Sequence, residues 1–200
     1  MKKFFIILGL LLITGCSTKD LFVRENDKMV YDSGKFYAEI SVKKYGKIEL
    51  ELDADIAPIT VNNFMKLVNE GFYDGLTFHR IMDGFMMQGG DPDGTGYGGS
   101  SKKIKGEFMA NGIENDISHT RGVISMARGG NDYNSASSQF FIVQTDSLFL
   151  DNYYAGFGHV TSGMEEVVDK ICKDAMPIDD NGTILADEQP IIEYIKEIKK

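Results

Sequence analysis

Glycine interrupts the middle of this chain so often that no long helix fits there. Between residues 72 and 160 the apolar runs are short and separated by glycine clusters, and the 200-residue chain carries 22 glycines in all. Each glycine inside a helix costs about 1 kcal/mol relative to alanine, whereas short apolar runs bounded by turns suit strands. Phe140-Phe141-Ile142-Val143 is the most core-like of these runs. Before the glycine-rich stretch, Phe36, Ala38, Ile40 and Val42 alternate with polar neighbours, and Ile48, Leu50 and Leu52 do so again after Tyr45-Gly46. That pattern predicts a hairpin. Pro58 then opens a helix whose stripe is Val61, Phe64, Met65 and Val68, with Gly71 just past its end. Met164, Val167, Val168 and Ile171 repeat the same spacing, which puts Cys172 in the core of a second helix, and Ile191 to Ile198 suggests a closing strand. The expectation is a mainly-β barrel capped by two α-helices, in one domain without internal repeats.

The first 34 residues read differently. Lys2 and Lys3 precede an apolar run, Phe4 to Ile13, that is too short to span a bilayer core of ~30 Å. Thr14 and Gly15 lead to Cys16, the layout of an export signal. Leu12-Ile13-Thr14-Gly15-Cys16 resembles the lipobox of bacterial lipoproteins. The likeness implies cleavage before Cys16, lipidation of its thiol and an extracytoplasmic position on a bacterial membrane. Residues 1–15 are thus expected to be a signal peptide, 16–34 the lipidated cysteine and a flexible tether, and 35–200 the folded domain. The tether would reach on the order of 20 Å as a coil. Removing residues 1–15 takes away two lysines and no acids, so the formal charge of −9 becomes −11. An acidic domain without a basic run makes nucleic acid an unsuitable partner and gains nothing from anionic lipid, so the lipid must do the anchoring.

Several motifs mislead. Gly94-Thr95-Gly96-Tyr97-Gly98-Gly99 fits a dinucleotide fingerprint, but no helix follows it. Asp91-Pro92-Asp93-Gly94 hints at a calcium loop, yet Lys102 stands where a bidentate glutamate is needed. His79, His119 and His159 lack metal-ligand spacing, His79 and His119 read as structural, and no nucleophile elbow occurs. Neither a metal nor a cofactor is expected.

The chemistry-bearing stretch is Phe78-His79-Arg80-Ile81-Met82-Asp83-Gly84-Phe85-Met86-Met87-Gln88-Gly89-Gly90-Asp91. If both halves are strands, Arg80, Met82, Met86 and Gln88 lie on related faces. Taken alone, the stretch also reads as a barrel strand with an exposed arginine. It resembles the signature of the cyclophilin family, however, and four further blocks follow in family order. These are the loop Gly94–Ser100, then His119-Thr120-Arg121-Gly122-Val123-Ile124-Ser125-Met126-Ala127-Arg128, then Ser137-Ser138-Gln139-Phe140-Phe141-Ile142, and finally Phe149-Leu150-Asp151 with Phe157-Gly158. The likeness spans roughly residues 36–198.

The resemblance implies a closed eight-stranded antiparallel barrel and peptidyl-prolyl cis-trans isomerase activity. It assigns catalysis to Arg80, Gln88 and Phe85, with Arg80 donating to the prolyl nitrogen. It assigns substrate binding to Met86, Ala127, Arg128, Gln139, Phe141, Phe149, Leu150 and Tyr154. Partners are proline-containing segments of exported proteins in the course of folding, met by a monomer. The alternative is a proline-peptide-binding chaperone module with little turnover; a solute-binding lipoprotein, usually larger and two-lobed, is disfavoured. Three positions depart from the best-known members. Phe149 replaces a tryptophan, implying weak cyclosporin binding, Tyr154 takes the place of a pocket histidine, and Arg128 that of an asparagine whose implied role is mostly main-chain, so activity is expected to survive.

Overall fold

The computed structural model describes residues 23–25 and 28–200. The leader 1–15, Cys16 and the first tether residues lie outside the described residues, so the lipobox reading stays a matter of sequence. Within the expected tether, β1 (Val23–Glu25) pairs with β2 (Lys28–Val30). The following residues are held to the domain: Asp32 N–H donates to Asn62 Oδ1 at 3.0 Å, and Gly34 N–H to Asp55 Oδ1 at 2.9 Å.

β3 (Lys35–Val42) and β4 (Gly46–Asp53) form the expected hairpin, in a register that sets Ala38 opposite Leu50 and Ile40 opposite Ile48. Alternation sends Ala38, Ile40, Val42, Ile48, Leu50 and Leu52 into the core. Next come α1 (Pro58–Asn69), β5 (Thr77–Met82), β6 (Met86–Asp91), β7 (Val123–Met126), β8 (Phe140–Val143) and β9 (Gly156–Ser162). A π-helical turn, Met164–Asp169, runs into α2 (Lys170–Asp174), and β10 (Ile192–Glu197) ends the fold. The eight strands β3–β10 make one antiparallel sheet in the order β10-β3-β4-β9-β7-β8-β6-β5. Among the described residues no helix is long and apolar enough to cross a membrane.

One expectation needs correction: the sheet curls but is open. Its edge strands β5 and β10 meet through an isolated bridge, Thr77 to Ile191, with Phe78 N–H donating to Pro190 O nearby. The reason is that the loop before β10 occupies most of the free edge of β5. Ile81 N–H donates to Gly182 O at 2.8 Å, and Ile184 N–H to His79 O at 3.0 Å. An edge whose donors and acceptors are used this way has no need of a full strand partner.

The apolar stripe of α1 covers the curled sheet. Phe64 lies 5.2 Å from Tyr73, 5.6 Å from Phe140 and 5.3 Å from Phe157 between ring centroids, so one side chain links helix, loop and two strands. The second helical stripe begins as a wide turn because Val167 and Val168 N–H both reach the Gly163 carbonyl, at 3.1 and 3.2 Å. That places both valines in the core. Cys172 is buried there as expected.

Candidate active site

β5, β6 and β8 present their outward faces to a shared cleft. The register sets Arg80 opposite Gln88, and Gln88 opposite Phe141, so three side chains from neighbouring strands converge. The cleft has a volume of ≈ 310 Å³ and is lined by Arg80, Phe85, Met86, Gln88, Ala127, Arg128, Phe141, Phe149, Leu150 and Tyr154. Every residue singled out for substrate or catalysis lies there except Gln139, which stands directly behind Gln88.

Arg80 is half-buried, and all its hydrogen-bond partners are neutral. Its Nε donates to Asn181 O at 2.6 Å, Nη1 to Gln88 Oε1 at 3.2 Å, and Nη2 sits 3.3 Å from Met82 Sδ. Its guanidinium carbon is 6.0 Å from the Phe85 ring centroid. Burial pushes the arginine's proton affinity down, but arginine stays charged at any working pH. A relay fixes its direction. Gln88 Nε2 donates to Gln139 Oε1 at 2.9 Å, and Gln139 Nε2 donates to Gly98 O at 2.7 Å and Gly96 O at 3.1 Å. The glycine loop is itself organised by the buried Asp91 carboxylate, which accepts from the N–H groups of Asp93 at 2.9 Å and Thr95 at 3.0 Å.

The floor is apolar: Met86, Phe141 and Leu150 are 1, 5 and 7 % exposed. Phe149, at 70 % exposure, forms a lip and packs on Phe85 with centroids 5.5 Å apart. Tyr154 meets Phe141 edge-on at 5.9 Å. Ala127 N–H is already donated to Gln139 O at 3.0 Å, so the main-chain groups left at that wall are the Ala127 carbonyl and Arg128 N–H.

Two parts of the site escaped the sequence reading. Behind Phe141 the His119 ring stacks at 6.1 Å, with Nδ1 2.8 Å from Asp151 Oδ1 and Nε2 2.9 Å from Ser125 Oγ. Burial lowers the histidine's proton affinity against the pull of Asp151, and Ser125 is fully buried, so this trio braces the floor and offers no nucleophile. Arg128 was expected to matter through its main chain, yet its guanidinium carbon lies 4.6 Å from the Tyr154 ring centroid. No one-dimensional signal marks either arrangement, since each joins segments far apart in the chain.

Residues 37–195 match the family model of cyclophilin type peptidyl-prolyl cis-trans isomerases. Peptidyl-prolyl cis-trans isomerase B of Bacillus subtilis is 51 % identical over 119 residues, covering 60 % of this chain and 79 % of that protein. A peptidyl-prolyl cis-trans isomerase of Helicobacter pylori is 46 % identical over 136 residues, covering 68 % of this chain and 80 % of its own. Among solved structures, a cyclophilin type isomerase from Cryptosporidium parvum superposes with a TM-score of 0.72 at 28 % identity, over 84 % of this chain and 99 % of that one. The same parasite enzyme in the presence of the dipeptide Ala-Pro gives 0.71 over 82 % of this chain and 99 % of that one, again at 28 % identity. Curled sheet, cleft and sequence thus converge, and the chain belongs to the cyclophilin-type peptidyl-prolyl cis-trans isomerases.

Proposed function

We propose that the cleft accelerates X-Pro bond rotation by aiming the Arg80 guanidinium at the prolyl nitrogen. The observation that carries this is the half-buried guanidinium held by neutral partners at the edge of an apolar floor. Amide resonance sets a barrier of roughly 18–20 kcal/mol, although trans is preferred by only ~0.5–1 kcal/mol at proline. The nitrogen lone pair becomes an acceptor only when the bond twists. A donor waiting there therefore binds the twisted state more strongly than either planar state, which is the condition for raising rate. Met86, Phe141 and Leu150 would receive the proline ring and exclude water. The Ala127 carbonyl and Arg128 N–H would pair with the residue before it. Gln88 holds the guanidinium in line, and Gln139 holds Gln88. Going from ~0.01–0.1 s⁻¹ to ~10 s⁻¹ asks for roughly 3–4 kcal/mol, within reach of one charged hydrogen bond in a dry pocket plus positioning.

The test is a protease-free cis-trans assay on an Ala-Pro peptide. Arg80→Ala is expected to lose about 10² or more in kcat/KM, the scale of a single transition-state donor. Unchanged turnover in that variant would reject the mechanism. Peptide binding without turnover in the wild type would favour the chaperone reading instead.

The same proposal places the enzyme outside the cytoplasm as a monomer, tethered through lipid on Cys16 and working on exported chains. The support is the sequence alone: Lys2-Lys3, the apolar run and the lipobox-like Leu12–Cys16. Mass spectrometry of the mature protein is expected to find residues 1–15 removed and an acylated Cys16; an intact Met1 would overturn it.

A further inference from the structure

We infer that Arg128 is a positioning residue, whose guanidinium clamps Tyr154 and thereby sets the wall of the proline pocket. The inference rests on the isomerase reading of the cleft, and concerns a side chain so far credited only with main-chain contacts.

Arg128 lies two residues beyond β7, where the ladder has ended. Its guanidinium carbon stands 4.6 Å from the Tyr154 ring centroid, 4.8 Å from Tyr133 and 5.3 Å from Phe108. These rings come from three loop segments, none of them part of a strand. Phe108 and Tyr133 also meet edge-on at 5.3 Å, so the cage has its own rigidity. Hydrogen bonds fix the cation within it. Nε donates to Tyr153 O at 3.0 Å, and Nη1 to Gly129 O at 3.0 Å and Gly130 O at 3.3 Å. The Tyr153 bond acts on the residue next to Tyr154, so the tyrosine is held both through its ring and through its backbone. Tyr154 in turn presses edge-on against Phe141, whose other side is braced by His119. One planar cation therefore joins loops that no sheet connects, and the joint ends on the pocket floor.

Planarity is what the job requires. A guanidinium can lie flat against rings while its edge donors reach separate carbonyls, whereas an ammonium offers one point charge on a flexible stem. Lysine at position 128 would keep the charge and lose the clamp. The expected defect is looser capture of the proline ring, seen in KM, because Arg80 and its relay are untouched.

The experiment compares Arg128→Lys, Tyr133→Leu and the double variant in the Ala-Pro peptide assay, with thermal melts alongside. Tyr133 does not line the cleft, so its effect on KM can only travel through the cage. Each single variant is expected to raise KM about 3- to 10-fold while kcat stays within about 2-fold. The double variant should be no worse than Arg128→Lys by more than about 2-fold, because both remove the same device. Melting temperatures that fall while KM stays unchanged would reduce Arg128 to a structural role and overturn the inference. Effects that multiply in the double variant would mean that the Arg128 guanidinium itself touches substrate, which also overturns it. Should the wild type show no turnover, the isomerase reading fails on its own. The peptide dissociation constants of the same variants then test the clamp by the same criteria.

Discussion

The Gln88–Gln139 relay shows how much of the site depends on uncharged residues. Each amide donates in the same direction, from Gln88 to Gln139 to the glycine loop, which leaves Gln88 Oε1 as the acceptor facing Arg80. Gln139→Leu would leave the Gln88 amide without an acceptor and the loop carbonyls without a donor. It is expected to lower kcat/KM about tenfold, the upper scale of one neutral hydrogen bond, and less than Arg80→Ala does. The same isomerase assay checks the ranking. The sequence makes Arg80, Gln88, Phe141 and Gln139 legible because they sit in short contiguous blocks. It hides what orients them. Asn181, whose carbonyl holds Arg80 Nε, is 101 residues away, and nothing in its Asp-Asn-Gly setting announces that contact.

At the scale of elements, α1 is correctly read from its stripe and from Pro58 at its start, but its cap is not. Ala57 at the N-cap has no side chain to offer the free N–H groups. Glu107, 2 % exposed and nearly fifty residues on, does the capping instead. Its carboxylate accepts from Ile59 N–H at 3.0 Å, Thr60 N–H at 2.8 Å and Thr60 Oγ1 at 2.7 Å. Glu107→Ala is expected to cost about 1–3 kcal/mol in urea unfolding, because it strands buried donors at the positive end of a helix. Glu107→Gln, which keeps one acceptor oxygen, should lose less. Local pattern finds a helix and misses a cap supplied from elsewhere. The second helix is where its stripe puts it and differs only in the type of its first turn. A 3.6-residue stripe cannot distinguish an α-turn from the wider turn that Gly163 begins. Gly163 adopts φ +90°, and a Cβ there would come within 2.3 Å of Lys47 O, so only glycine fits.

For the molecule as a whole, acid is the expected weakness. His79 and His119 are buried, and burial lowers the proton affinity of both below the ordinary 6.5. For His79 neither ring nitrogen has a partner among the described residues. A histidine that resists protonation only when folded contributes stability at higher pH, and that contribution is lost as pH falls below 6.5. Urea midpoints are therefore expected to drop between about pH 7 and pH 5, with His79→Phe removing part of the slope. A flat profile in the wild type would contradict this. The mainly-β architecture was legible from alternation and glycine spacing. The open seam between β5 and β10 was not, because it depends on where an irregular loop settles. That seam has a consequence for synthesis. The loop that stitches it also supplies the Asn181 carbonyl, so the Arg80 guanidinium finds its brace only after 101 further residues have been made. A ribosome-bound chain lacking that stretch would carry the signature blocks with Arg80 Nε unbraced. The cleft is thus completed long after the strand that carries its arginine has left the ribosome.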